Sequence, residues 1–193
     1  MSETHSYDNN AILNGTDAAD TITFAATSTT VNAGEGVNTI TGTSGNNHII
    51  SFGGADTISL TSGHNTIEAG EGANTITATL GNNVISSGDG ADTITVTSGN
   101  NTINAGGGAN TIVATSGINV INTGGGADTI TTGGVAGGGN TINAGDGANT
   151  VTTGAGNDTV YSGVDTDTIN TGAGDDEIII NGCHLYHSDA AAI

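Results

Sequence analysis

The chain has 193 residues, 19 of them acidic and none of them Lys or Arg, for a net charge of −19. Nothing in it can neutralise phosphate, which excludes nucleic acid and anionic membrane surfaces as direct partners. A single cysteine, Cys183, excludes an intrachain disulfide, and 34% hydrophobic and 3% aromatic residues are too few for a conventional core unless a repeat shares it out.

Such a repeat runs through nearly all of the sequence. A marker tripeptide, most often Asp/Asn-Thr-Ile, begins at 20, 38, 47, 56, 65, 74, 83, 92, 101, 110, 119 and 128, then at 140, 149, 158, 167 and 176 after a three-residue insertion within Gly133–Gly139. A degenerate copy, Thr29-Thr30-Val31, fills the gap, giving 18 nine-residue units. The first position is Asp or Asn in 17 of the 18 and the third is Ile or Val in all, so the period is a property of the fold.

The polar N-terminal segment, 1–11, lacks the basic and apolar regions of a Sec-type signal and precedes the array. Each unit over 12–178 then predicts a glycine-bearing turn, such as Gly70-Glu71-Gly72-Ala73-Asn74, followed by a short strand with Thr outward and Ile inward. One inward Ile per unit buries nothing alone; stacked units make a continuous apolar column. The expected fold is an all-β parallel β-solenoid of about nine coils, two units per coil. At ~4.8 Å per coil it forms a rod of roughly 43 Å. No segment reaches transmembrane length. The remaining residues, 179–193, read as a C-terminal cap that includes Cys183, His184 and His187 but no zinc-site spacing.

The two units of a coil differ. Face A carries the longer strands and an outward array of Thr39, Thr41, Thr75, Thr77, Thr93, Thr95, Thr129 and Thr131, flanked by Thr21, Thr57, Thr111 and Thr150. After face A comes a column of Asn47, Asn65, Asn83, Asn101, Asn119 and Asn140, suited to an amide ladder. After face B the column alternates Asp20, Asn38, Asp56, Asn74, Asp92, Asn110, Asp128, Asn149, Asp167, which doubles the spacing between like charges.

Gly154-Ala155-Gly156-Asn157-Asp158-Thr159-Val160, Gly172-Ala173-Gly174-Asp175-Asp176-Glu177-Ile178 and Asn14–Ile22 resemble the nonapeptide of RTX (haemolysin-type) calcium-binding proteins. The resemblance implies a parallel β-roll with Ca2+ held between successive turns by Asp carboxylates and backbone carbonyls, and export by type I machinery to the cell exterior. Carried onto this sequence, it points first to the gap between Asp158 and Asp176. Asp167 with Asp165 and the Asp17/Asp20 turn follow, and then Asp56, Asp92 and Asp128. Most other units have Asn in that place, which lacks the charge a hard cation favours. The Thr array resembles the ice-binding faces of β-solenoid antifreeze proteins. No triad, phosphate loop or paired carboxylates in a cleft are legible, so a non-enzymatic, secreted structural protein that binds calcium and stacks into filaments is expected; ice binding through face A is the alternative.

Overall fold

The computed structural model describes residues 11–25, 28–135 and 137–181, and the backbone of 185–187. The proposed N-terminal segment before Ala11 and the side chains of Cys183, His184 and His187 lie outside the described residues.

The chain winds into a parallel β-solenoid whose strands alternate between two ten-stranded sheets. One holds the short strands from Ile12–Asn14 to Glu177–Ile180. The other holds the threonine strands, from Thr21–Phe24 through Thr75–Ala78 and Thr93–Val96 to Leu185–His187. Successive strands of each sheet pair in parallel, and outside the insertion the register is one coil, 18 residues, as at Thr75↔Thr93 and Ile76↔Ile94. The Gly133–Gly139 insertion is absorbed in a loop closed by the Gly138 N–H on the Val135 carbonyl, 2.9 Å. Strand pairing spans it at Val120↔Thr141, and beyond it the 18-residue register resumes at Thr141↔Thr159. Among the described residues there is no helix long and apolar enough to cross a membrane.

Alternation along each strand decides what is buried. Ile22, Ile40, Ile58, Ile76, Ile94, Ile112 and Ile130 face in from the threonine sheet and meet Val31, Ile49, Ile67, Ile85, Ile103, Ile121 and Ile142 from the other, all essentially inaccessible. At ~25 cal/mol per Å2 this continuous column is the main stabilising term, in place of any aromatic core. Beside it, Phe24, Gly42, Leu60, Ala78, Val96 and Ala114 alternate large and small. Gly42 is the necessary small member, since a Cβ there would come within 2.5 Å of the Phe24 ring and 2.8 Å of Leu60 Cδ2.

The turns before the threonine strands bring successive backbones so close that a Cβ at Gly72 would overlap the Gly54 carbonyl, and the φ of +115° there also favours glycine. Two residues break this pattern. Phe52 (φ 58°) and Asp165 (φ 88°) stand in left-handed backbone where neighbouring coils use glycine.

Candidate metal-binding turns

The first residue of each marker tripeptide but the last, Asp176, is buried at the corner where a turn enters a strand, and it links the coils. In the column after the threonine strands, the backbone N–H and Nδ2–H of Asn47 both donate to Oδ1 of Asn65, at 3.1 and 2.9 Å. The same two bonds recur at Asn65, Asn83, Asn101 and Asn119. The ladder then reaches Asp158, whose Oδ1 accepts both donors of Asn140, at 2.6 and 3.0 Å. The next rung is incomplete. The Asp158 N–H donates to Asp176 Oδ1 (2.9 Å), but Oδ2 now stands where each Asn above presents an N–H. That oxygen is buried without a partner.

The column before the threonine strands follows a different rule. Each backbone N–H again donates to Oδ1 one coil on, as from Asn38 to Asp56 (2.7 Å) and from Asp56 to Asn74 (2.9 Å). Here the Asn Nδ2–H groups turn inward to their own loop: Asn74 donates to the carbonyls of Gly70 (3.0 Å) and Gly72 (3.1 Å). An Asp at this position supplies an acceptor in place of that donor. Asp56 Oδ2 and Asp128 Oδ2 are buried with no hydrogen-bond partner.

Sequence reasoning missed the residue that accompanies Asp56, Asp92, Asp128 and Asp167. Five places before the marker, Ala33, Ala69, Ala105 and Ala144 precede the Asn coils, whereas Ser51, Ser87, Thr123 and Ser162 precede the Asp coils. The signal lay in the sequence at a period of two coils. Ser87 donates to Asp92 Oδ2 (2.6 Å), and Ser162 donates to Asp167 Oδ2. Ser51 and Thr123 instead donate to the carbonyls of Ala69 (2.9 Å) and Ala144 (2.8 Å). At Ser87 one hydroxyl proton faces two acceptors, Asp92 Oδ2 and the Ala105 carbonyl. At Ser51 and Thr123 the carbonyl takes the bond while Asp56 Oδ2 and Asp128 Oδ2 go without, a local deficit of donors.

Burial pushes the carboxyls of Asp56, Asp92 and Asp128 above the ordinary carboxylate value, against the opposing pull of the Asn N–H groups that bond them and of the Ser51, Ser87 and Thr123 hydroxyls beside them. The sign of the resulting pH dependence is fixed by linkage. Between the unfolded and the raised folded value the native state holds more protons, so stability is greatest at the low end and falls as pH rises through the folded value. Chelator-treated protein is therefore expected to melt higher at mildly acidic pH than at neutral pH, the reverse of ordinary acid destabilisation. Relief of mutual repulsion towards the pI of about 4.1 acts in the same direction. Melting curves across this range check it; a Tm that rises steadily towards neutrality contradicts it.

The proposed ligands therefore fall into distinct settings. Asp158, Asp56 and Asp128 each hold an unpartnered buried oxygen, and Asp176 is half-buried on the rung beside Asp158. In Asp92 and Asp167 both carboxylate oxygens are engaged. Asp20 Oδ2 accepts from the Thr16 N–H and hydroxyl, at 2.6 and 3.0 Å, while its Oδ1 is unpartnered. Asp17 and Asp165 are exposed on the outside of their turns, away from these corners. Among the described residues, no three His, Cys, Asp or Glu side chains cluster as a ready-made metal site. A cation here would rely on one or two carboxylates with backbone carbonyls. That donor set is all oxygen and suits Ca2+, and it offers no soft ligand for zinc or copper.

Thr39, Thr57, Thr75, Thr93, Thr111, Thr129 and Thr150 form one outward column of the threonine sheet; Thr41, Ser59, Thr77, Thr95, Val113, Thr131 and Thr152 form the next. No acidic residue lies in either column, although the molecule carries 19.

No curated protein and no solved structure matches the chain. A family model does: the RTX calcium-binding nonapeptide repeat, described as four copies, matches residues 32–67, 68–103, 104–136, 135–169 and 162–179. These segments cover the coils whose Asp and Asn corners have just been described. The chain belongs to the family of RTX calcium-binding nonapeptide repeats.

Proposed function

We propose that the protein is a non-enzymatic, secreted structural β-roll whose coil stack is tightened by calcium. The observation that carries this reading is the set of orphaned, buried carboxylate oxygens at Asp56, Asp128 and Asp158. A buried charge without a partner is strongly unfavourable, and with no Lys or Arg in the sequence the neutralising charge must come from outside. Ca2+ bound at these corners would supply that charge and accept both carboxylate and carbonyl oxygens. The chain's own contribution is to hold those oxygens on a rigid ladder. The Ser87–Asp92 and Ser162–Asp167 pairs are sealed in the solenoid wall, which supports a structural role for them over a nucleophilic one. Export to the cell exterior follows the habit of the family. Isothermal titration with Ca2+, paired with melting in Ca2+ and in EDTA, tests the reading. Saturable binding and a raised Tm are expected; no heat and no shift would refute it.

A second reading, ice binding, is favoured by the threonine sheet. Its columns are in register over the coils, free of acidic residues, and their hydroxyls make no hydrogen bond within the chain among the described residues, whereas Ser51, Ser87, Thr123 and Thr153 all do. Regular hydroxyls and methyls that are not committed internally are suited to ordered water. Thermal hysteresis of the wild type, lost in Thr77→Tyr, is the expected result; absence of hysteresis in the wild type ends this reading.

A further inference from the structure

A second, exposed ladder runs along the turns after the threonine strands, one residue before the buried one. Its bonds point the other way, each side chain accepting the backbone N–H of the coil that follows. His64 N–H donates to Asn46 Oδ1 (2.8 Å), Asn100 N–H to Asn82 Oδ1 (2.8 Å) and Ile118 N–H to Asn100 Oδ1 (2.9 Å). In the rung between, the acceptor is an imidazole: Asn82 N–H donates to His64 Nδ1, at 3.0 Å. The carboxylates described above take no part in these rungs.

The donor in the His64 rung is a backbone N–H, which cannot exchange roles with its partner. Nδ1 must therefore keep its lone pair, and the neutral ring carries its proton on Nε2. With that proton in place Nε2 has no lone pair for a metal, so the closed rung is not a ligand site. A second proton changes the bond itself. The imidazolium has an N–H at both nitrogens, and its Nδ1–H would meet the N–H of Asn82. An Asn oxygen has no such second state near neutral pH, so His64 is the one titratable acceptor among these four rungs.

We infer that His64 is a proton-operated break in the outer ladder: the neutral imidazole closes the rung to Asn82, and the imidazolium opens it. The rung belongs to the neutral form, so it is held at higher pH and lost as the ring takes up a proton. What opens is the turn 79–83, which joins the threonine strand Thr75–Ala78 to Val84–Ser86. The opening stays at the surface, because the backbone N–H and Nδ2–H of Asn83 remain tied to Asn101 Oδ1 in the buried ladder. Among the described residues, His48 is the one titratable group that shares a cavity with His64, and its Nε2 lies 3.1 Å from Glu68 Oε1. A proton there adds charge to an existing pair, whereas at His64 it removes a bond. The following coil, 80–84, brings no titratable group to the rung.

Amide exchange and imidazole nitrogen shifts, followed by NMR on the full chain from about pH 8 to about pH 5, span the range in which histidine changes charge. At the high end His64 should be the Nε2–H tautomer. As pH falls, the protection factor of the Asn82 amide should drop about tenfold, the worth of one hydrogen bond. The amides of Asn100 and Ile118, which Asn side chains accept, should hold theirs. His64→Asn, which places here the residue of the coils before and after, should abolish the drop, and His48→Gln should leave it. An Nδ1–H tautomer at high pH overturns the inference, as does an Asn82 amide whose protection follows that of Asn100 throughout. So does a drop that survives in His64→Asn or vanishes in His48→Gln. If either variant fails to fold, the wild-type comparison of Asn82 with Asn100 decides alone.

Discussion

Ile76→Asp is expected to destabilise the solenoid by more than about 4 kcal/mol, enough to unfold it at room temperature. Ile76 is fully buried and lies in register between Ile58 and Ile94. The substitution removes a branched side chain from the column, which alone costs about 2–5 kcal/mol, and then leaves a carboxylate in its place. In most proteins a nearby Lys or Arg could move to meet such a charge. This sequence has neither anywhere. Thr77→Asp, one residue on and facing outward, is the control, since its carboxylate can remain in solvent; it should cost less than about 1 kcal/mol. Because each coil contacts only its neighbours, the loss at Ile76 also removes the template on which the coils to either side stack. Chemical denaturation followed by circular dichroism measures both variants. Near-equal midpoints for the two would mean that the inward and outward faces have been exchanged.

The architecture was legible because its signal is redundant. Thr-Ile alternation, turn glycines and the Asp/Asn marker each recur at nine residues, and any one of them places Ile76 inside and Thr75 and Thr77 outside, as the structure has them. The period of 18 residues likewise separates the two faces and places Asn47 above Asn65 in a ladder. What escaped sequence reading was chemistry that needs a partner residue to be seen. The Asp/Asn alternation before the threonine strands reads as charge spacing until Ser51, Ser87, Thr123 and Ser162 are set beside the acids they accompany. Even then, only geometry shows that the Ser87 hydroxyl reaches both the Asp92 carboxylate and the Ala105 carbonyl, while that of Ser51 bonds only the Ala69 carbonyl. The nonapeptide resemblance likewise gave Asp17 and Asp20 one joint role. The structure puts Asp17 on the outside of the turn and Asp20 at its sealed corner. A motif records which residue types recur, and the depth of each side chain follows from a turn only two or three residues away.

Asn at the three corners with an orphaned Oδ2, Asp56, Asp128 and Asp158, is expected to make calcium unnecessary there. In Asp56→Asn and Asp128→Asn, the new Nδ2–H groups would reach their own turn carbonyls as Asn74 does in the coil between, where it bonds Gly70 and Gly72. In Asp158→Asn, the Nδ2–H would span to Asp176 Oδ1 and complete the ladder that runs from Asn47 to Asn140. Each change also removes a buried charge that has no cation within the chain. In EDTA the triple variant should therefore melt higher than wild type. In Ca2+ the order should narrow or reverse, because a site saturated at 100 times its Kd adds about 2.7 kcal/mol to the wild type alone. Residual calcium response in the variant would report first on Asp20, whose Oδ1 is also unpartnered, and then on Asp92 and Asp167, whose hydroxyl partners already satisfy their second oxygens. The opposite pattern, with the variant weaker in EDTA and its calcium response intact, would show that these carboxylates serve the metal-free fold and that the cation is held elsewhere. The comparison turns on a single atom at each corner, an oxygen exchanged for N–H, in a stack that otherwise keeps every strand in place.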